Sequence, residues 1–197
     1  EIVQTFWALS KELADARHYP AVDWLESFSG YITSTARWWA ENVDPEWETA
    51  RSQALDLLSS SEELQRIVNL VGVEALSSEQ RWTLEASVLI KEGLLQQAAT
   101  DETDSFASPE KQFALLAALI EIYYQGMKLV KLGVPARRLI QMPLLAQARR
   151  WKSQHGSDNL AALKEKTDRI QAEFEHIALD YEHAPNTARK GIQANQG

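Results

Sequence analysis

The chain has 197 residues, of which 45% are hydrophobic and 24% charged, a profile typical of a soluble globular protein. Its 28 acidic side chains against 20 lysines and arginines give a formal charge of −8, which argues against a nucleic-acid binder, because such a surface must neutralise phosphates. The lack of cysteine excludes disulfides, thiolate catalysis and cysteine-ligated metal sites, and no apolar run approaches the roughly 18–20 residues that span a bilayer.

The N-terminal part of the chain is predicted to combine a helix with irregular backbone. An apolar stripe predicts a helix over residues 6–15. Pro20 then disfavours the α region for Tyr19, and residues 25–35, which contain Ser, Gly and Thr, are expected to be irregular. No strand–turn–strand pattern stands out, so we expect no sheet.

Three helices are predicted in the next part of the chain. Asp-Pro-Glu at residues 44–46 is a helix start, since Asp caps free N–H groups, Pro suits the first helical position and Glu suits the positive end of the helix dipole. That helix should end near residue 58. A capping-box pattern begins a second helix over residues 61–71, and Ser77 opens a third that runs to about residue 97.

The clearest helix follows a polar break at residues 100–105. It begins at Ser-Pro-Glu, residues 108–110, continues with apolar residues at steps of three and four, and ends at Gly133. Pro135 starts another helix, which Pro143 should kink or split.

The last helix carries a heptad-like apolar seam with one polar interruption. Its members are Leu160, Leu163, Thr167, Ile170, Phe174, Ile177 and Tyr181. The seam covers few heptads, so packing on the same domain is favoured over a long coiled coil. The polar tail over residues 184–197 is predicted to be disordered, and the whole is predicted to be an all-α, irregular multi-helix bundle.

The residues indicate neither a phosphate-binding loop nor a nucleophile–base pair. The eight glycines are scattered, and none lies in a G-x-x-x-x-G-K-[ST] pattern or a G-x-S-x-G elbow. The four histidines, at positions 18, 155, 176 and 183, have no spacing that singles out a general base. We therefore expect no catalytic residue in this chain, and the phosphates of any nucleotide it meets must be held elsewhere.

One polar stripe resembles a metal-binding pattern. The last predicted helix carries Glu173, His176, Asp180 and His183 at steps of 3, 4 and 3. Di-iron carboxylate bundles use Glu-x-x-His twice, with two further glutamates, whereas one such motif is present here, beside the apolar seam. We interpret the stripe as a solvated helix face and expect no metal site, with a di-metal enzyme as an alternative.

Four segments in register resemble the catalytic A subunit of vacuolar/archaeal-type rotary ATPases. They are FWAL at 6–9 with ARHYPAVDWL at 16–25, WWAENVDPEW at 38–47, QQAATDETDSF at 96–106 with SPEKQ at 108–112, and LGVP at 132–135. Each segment alone is modest, but four in register over about residues 2–155 are specific.

The resemblance implies a C-terminal fragment of that protein, in agreement with a chain that begins without an initiator Met. The implied layout is a junction from a missing nucleotide-binding domain over residues 1–24, a helical bundle over 25–183 and the tail over 184–197. The whole enzyme would couple ATP hydrolysis or synthesis to proton or sodium transport. Its phosphate-binding loop, catalytic Glu and magnesium ligand would lie upstream, so the isolated fragment is expected to be inactive.

The resemblance also implies that this domain forms the adenine side of an ATP pocket, with Mg²⁺ bound by the missing domain. Adenine needs apolar or aromatic walls for its two π faces. Tyr19 is the candidate for one wall, since its Tyr-Pro-Ala-Val-Asp segment resembles the adenine-stacking segment of the related ATP synthase β subunit. Phe106 and Ala107 are candidates for the second wall, and Thr100 stands where the family usually has an aromatic residue.

The implied partners are the upstream nucleotide-binding domain, the non-catalytic B subunits and the central stalk, with no nucleic acid and no direct membrane insertion. The implied location is the cytoplasm, at the cytoplasmic face of a membrane to which the assembled ATPase attaches this subunit peripherally. Candidates for the stalk contact are loops near Pro135 and Pro143, with four arginines nearby: Arg137, Arg138, Arg149 and Arg150. The alternative is a freestanding helical scaffold that binds partner helices through the apolar seam.

Overall fold

The computed structural model describes residues 3–98, 100–156 and 159–183. In chain order its elements are β1 (Thr5–Leu9), α1 (Lys11–Asp15), β2 (Val22–Ser29), α2 (Ile32–Asn42), α3 (Trp47–Val71), a 3₁₀ turn (Val73–Ala75), α4 (Ser78–Ile90), a π-helix (Lys91–Leu95), α5 (Pro109–Lys131), α6 (Ala136–Ile140), α7 (Pro143–Ala148), α8 (Trp151–Gln154) and α9 (Leu160–His183). Helices dominate, and the predicted all-α class is confirmed. The predicted tail lies outside the described residues.

The N-terminal β-hairpin corrects two expectations. β1 covers residues 5–9, of which 6–9 were expected to be helical, and β2 covers residues 22–29, of which 25–29 were expected to be irregular. The two strands pair antiparallel, with Thr5 opposite Ser29. The residue types in β1 also suit a strand, because aromatic and β-branched side chains favour extended backbone. Pairing with a distant segment decided between helix and strand. β2 crosses the predicted domain boundary at residue 24, and the division into domains stays a prediction.

The first long helix is continuous where the sequence predicted two helices. α3 runs from Trp47 to Val71 without a break near residue 58. Ser61, expected to begin a new helix, is buried and its hydroxyl donates to the carbonyl of Leu58 at 2.7 Å. A serine inside a helix can satisfy its hydroxyl in this way, so a capping pattern alone did not end the helix.

Other helix boundaries agree with the sequence prediction. Ser77 and Gln80 form a reciprocal capping box at the start of α4, and the hydroxyl of Ser108 accepts from the N–H of Lys111 at the start of α5. The chain restarts as α7 at Pro143. The third predicted helix continues to Leu95 rather than to residue 97, and its last turn is the π-helix.

The core lies where α5 packs against α3, α4 and α9. Trp82 is completely buried, its indole N–H donates to the carbonyl of Tyr123 at 2.9 Å, and its ring meets Phe174 edge-on at 6.3 Å. The seam of α9 is buried at Leu163, Ile170, Phe174, Ile177 and Tyr181. The predicted packing of the seam on its own domain is therefore confirmed, and the seam does not offer these side chains to a partner helix.

Within the described part of the chain, α5 is the one helix long and apolar enough to cross a membrane, with a mean hydropathy of 1.4 in its most apolar stretch. Half of that stretch is buried inside the domain, where α3, α4 and α9 cover it. The expectation that no apolar run is long enough to span a bilayer is thus wrong, because α5 meets the criteria of length and composition. A helix apolar on most of its faces is also typical of a protein core, and this is the place that α5 takes.

Candidate functional site

Tyr19 lies at the surface, between α1 and β2. Its side chain is 54% exposed, it precedes Pro20 through a cis peptide bond, and its carbonyl accepts a hydrogen bond from the N–H of Gln97 at 2.7 Å. The backbone is thereby attached to the segment that follows the π-helix, while the ring faces solvent. The sequence predicted that Pro20 keeps Tyr19 out of the α region, and the structure adds the backbone partner of Tyr19, Gln97.

Phe106 lies on the loop between the π-helix and α5 and is 68% exposed. The side-chain amide of Gln97 donates to the carbonyls of Asp104 at 2.9 Å and Ser105 at 3.3 Å, directly before Phe106. Gln97 therefore connects the backbone of Tyr19 to the loop that carries Phe106. Both aromatic residues were predicted from the sequence, whereas the glutamine between them was not.

The remaining two predicted site residues differ in their surroundings. Thr100 is exposed near the start of the same loop, and Ala107 is half-buried. Ala107 lines a cleft of about 310 Å³ whose walls include Trp47, Gln97, Asp104, Gln112 and Lys152. The rings of Tyr19 and Phe106 are not part of this lining. A larger groove of about 770 Å³ lies between α3, α5 and α9 and includes none of the four predicted residues.

Buried charges fix the base of the loop. Asp104 and Lys152 are 5% and 7% exposed, and their charged groups lie 3.2 Å apart. The second carboxylate oxygen of Asp104 accepts from the N–H of Ala98 at 2.6 Å. Buried charges require this kind of pairing. Asp104 belongs to a segment that looked like an ordinary polar break, so the sequence carried no local signal for its role.

A second lysine supports the same loop from α5. Lys111 is 2% exposed, and its ammonium donates to the carbonyl of Thr103 at 3.2 Å. Burial lowers the pKa of Lys111, and Lys152 lowers it further, while the charges of Asp104 and Asp101 act in the opposite direction. Two ammonium groups thus hold the loop from two different helices.

His18, the neighbour of Tyr19, is buried in an aromatic and cationic cluster. Its ring meets Trp24 edge-on at 5.5 Å, and the ammonium of Lys91 lies 5.6 Å from the centre of the Trp24 ring. Burial lowers the pKa of His18, and the positive charges of Lys91 and Lys152 lower it further, against a smaller opposing effect of Glu92. Protonation of His18 is therefore disfavoured in the folded chain.

We expect the chain to lose stability as the pH falls below the ordinary histidine pKa of 6.5. Below this pH the unfolded chain binds a proton more readily than the folded chain does. The contribution of neutral His18 to the free energy of unfolding is therefore complete above pH 6.5 and declines as the pH falls towards the lower, folded-state pKa. Burial also lowers the pKa of His155, which adds to the same trend. Urea unfolding at about pH 7.5 and about pH 5.5 measures the effect.

His18→Gln should reduce this pH dependence, and exposed His176, changed to Gln, is the matched control. If His18→Gln retained the full dependence, the assignment to His18 would be wrong.

The four arginines proposed for a stalk contact fall into two groups. Arg149 pairs with Glu85 and Glu92, and Arg138 lies 3.4 Å from Asp180, so both have partners within the domain. Arg137 and Arg150 are exposed.

The polar stripe on α9 is exposed at each of its four positions. Asp180 lies within 3.4 Å of both Arg138 and His176. In residues 3–98, 100–156 and 159–183, no group of three or more histidines and carboxylates is arranged to hold a metal ion.

Comparison with known proteins gives consistent similarities. Residues 36–138 match the family model described as the C-terminal domain of V and A type ATP synthase. The chain is 54% identical over 184 residues to the V-type ATP synthase alpha chain of Nitrosococcus oceani, covering 93% of this chain and 31% of that protein. It is 38% identical over 180 residues to the A subunit of the A-type ATP synthase of Thermococcus onnurineus, covering 91% and 30%. The chain thus spans about a third of the length of these relatives.

A solved structure shows a similar fold. The ATP synthase subunit NeqB of Nanoarchaeum equitans aligns with a TM-score of 0.51 at 20% identity, over 62% of this chain and 28% of that chain.

Proposed function

The chain belongs to the family of C-terminal domains of V- and A-type ATP synthases, and we propose that it forms the adenine side of the nucleotide pocket in the catalytic subunit. The intact enzyme would couple ATP hydrolysis or synthesis to proton or sodium transport, at the cytoplasmic face of a membrane. The observation that carries this proposal is a pair of exposed aromatic side chains, Tyr19 and Phe106, on segments that Gln97 connects.

The two rings have the chemistry that an adenine base requires. A purine presents two π faces, and flat aromatic walls cover such faces at little cost in side-chain entropy. Tyr19 and Phe106 expose more than half of their surface in this chain, and a bound base would cover that apolar area. Thr100 supplies a hydroxyl instead of a third aromatic wall. ATP is therefore the proposed cofactor.

The phosphate chemistry is proposed to lie in an upstream domain of the same protein, which would also hold Mg²⁺. This chain has no G-x-x-x-x-G-K-[ST] loop. The ammonium groups of Lys111 and Lys152 are buried and bonded to the loop, not directed to solvent. By itself the chain is thus proposed to be inactive as an ATPase.

The β-hairpin is proposed to pack against that upstream domain. Phe6, Trp7 and Leu9 of β1 are exposed, and clustered exposed apolar side chains are typical of a surface covered by another part of the protein. This agrees with a junction over residues 1–24. Such packing would also fix the position of the Tyr19 segment, which follows α1, relative to the preceding domain.

The stalk contact is proposed to lie at the tip between α3 and α4 rather than at the loops near Pro135 and Pro143. The tip exposes four apolar side chains: Ile67, Leu70, Val71 and Val73. α3 has 25 residues and is therefore roughly 37 Å long at 1.5 Å per residue, so its tip is far from Trp47 and the cleft. A domain held at both ends in this way would act as a lever between nucleotide and stalk. The non-catalytic B subunits are the proposed neighbours of the catalytic subunit.

We expect Tyr19→Ala, tested in the intact ATPase, to raise the KM for ATP about tenfold, since base–aromatic stacking contributes about 1–3 kcal/mol. The effect on kcat should be smaller, because stacking acts equally on the ground state and the transition state. Steady-state kinetics measures both, and Phe106→Ala should act in the same direction.

Tyr19→Phe retains the ring and should keep a near-normal KM, and Tyr31→Ala, which removes a similarly exposed tyrosine, is the matched control. An unchanged KM in both Tyr19→Ala and Phe106→Ala would refute the proposed adenine site.

The alternative of a freestanding scaffold has less support. Its partner surface was the apolar seam of α9, and that seam is buried against α5 and its neighbours within the domain.

A further inference from the structure

The geometry points to Gln97 as a positioning residue for nucleotide binding: it holds the Phe106 loop against the Tyr19 segment, so that the two aromatic walls are in place before the base arrives. This inference rests on the proposed function, because it assumes that the two rings cover a base. It assigns a role to a side chain that would not itself stack on the nucleotide.

Gln97 forms hydrogen bonds both to the Tyr19 segment and to the loop that carries Phe106. Its backbone N–H donates to the carbonyl of Tyr19 at 2.7 Å, and its side-chain amide donates to the carbonyls of Asp104 at 2.9 Å and Ser105 at 3.3 Å. Both donors of one residue thus connect segments that are far apart in the chain. Phe106 follows Ser105 directly, so the amide holds the backbone immediately before the ring.

The other side of the loop is fixed to the bundle independently of Gln97. Asp104 is paired with Lys152, which also donates to the carbonyl of Leu94 in the π-helix at 3.2 Å. Lys111 of α5 donates to the carbonyl of Thr103. The loop is therefore anchored at residues 103 and 104 even when the Gln97 amide is removed, and what the amide adds is a bond to the backbone directly before Phe106.

The exposure of Gln97 separates positioning from folding. Its side chain is exposed, in contrast to buried Asp104 and Lys152, so its loss removes a hydrogen bond to the carbonyl of Asp104 but leaves no buried charge unpaired. Its physical effect is preorganisation: a loop already held in its binding conformation loses less conformational entropy when a ligand binds. Such an effect acts on binding of the base and not on phosphate chemistry.

The test is Gln97→Ala in the intact ATPase, assayed with ATP and with ribose 5′-triphosphate, which has no base. We expect the KM for ATP to rise about threefold to tenfold, the range of a typical lost hydrogen bond, with little change in kcat. The KM for ribose 5′-triphosphate should stay unchanged, because there is no base for the walls to hold. Gln65→Ala, which removes an exposed glutamine bonded within α3, is the matched control.

Gln97→Glu provides a second variant of nearly equal size. A carboxylate cannot donate to the carbonyls of Asp104 and Ser105, so this variant should raise the KM for ATP at least as much as Gln97→Ala. A normal KM in Gln97→Glu would show that side-chain size, not the amide bonds, matters, and would overturn the inference.

A double variant distinguishes this inference from the proposed function. If Gln97 acts through the Phe106 ring, adding Gln97→Ala to Phe106→Ala should raise the KM little further. If Phe106→Ala raises the KM for ATP and Gln97→Ala does not, or if Gln97→Ala affects both triphosphates equally, positioning by Gln97 is wrong and the adenine site stands. If neither Tyr19→Ala nor Phe106→Ala changes the KM, the adenine site itself is wrong.

Discussion

Gly126→Ala should destabilise the domain by about 3 kcal/mol, the upper part of the usual range for overpacking a core. A Cβ at Gly126 would lie 2.1 Å from Cζ2 and 2.4 Å from Cε2 of Trp82, well inside contact distance. The indole has no room to retreat, because it is completely buried and its N–H is bonded to the carbonyl of Tyr123. The gain of about 1 kcal/mol in helix propensity from Gly to Ala is too small to offset this clash.

Urea unfolding of the chain measures this effect as a lower midpoint. Trp82→Phe removes the indole atoms that the new methyl group would strike, so the double variant Gly126→Ala with Trp82→Phe should be less destabilised than the sum of the two single variants. A midpoint unchanged by Gly126→Ala, or strict additivity in the double variant, would show that α5 and α4 can separate without cost.

Lys152→Met should also cost about 3 kcal/mol, because removing one member of a buried ion pair leaves the other charge uncompensated. Asp104 would stay buried without the ammonium that lies 3.2 Å from it. Lys111 also acts electrostatically on this carboxylate, which places the expected cost at the lower end of the 3–5 kcal/mol typical of broken buried pairs.

The neutral pair Lys152→Met with Asp104→Asn should recover much of the lost stability, since it removes both charges and keeps an acceptor for the N–H of Ala98. Lys11→Met is the matched control, because the Lys11–Asp15 pair is exposed, and exposed pairs contribute about 0–1 kcal/mol. Equal urea midpoints for Lys152→Met and Lys11→Met would contradict the importance of the buried pair.

The starts of α4 and α5 were predictable because their signals are local and nothing in the bundle overrides them. The capping box of Ser77 with Gln80 and the Ser108–Pro109 start of α5 act on backbone groups within one turn, so neighbouring residues suffice to define them. The apolar seam of α9 was equally clear, because a period close to 3.6 directly lists the residues of one helix face.

Local patterns failed where a distant segment or the bundle decided the outcome. β1 and β2 are separated by α1, and neither carries a mark that names its partner. The predicted break near residue 58 did not occur, because Ser61 bonds within the helix and is covered by the bundle. In both cases tertiary contacts outweighed a weak local preference.

The candidate site divides in the same way. Tyr19 and Phe106 were recognisable from residue type and from resemblance to a family. Each of these signals lies within one continuous segment of the sequence. Gln97, Asp104 and Lys152 became recognisable only when folding brought them together.

Amino-acid order alone therefore settled the helical class, most helix starts and the inward face of α9, because hydrophobic period and capping are properties of neighbouring residues. The two aromatic residues of the candidate site stay predictions. Folding in three dimensions decided the hairpin, the unbroken α3 and the polar connection behind the aromatic residues. These depend on contacts between remote segments, and their energies appear only once those segments are packed together.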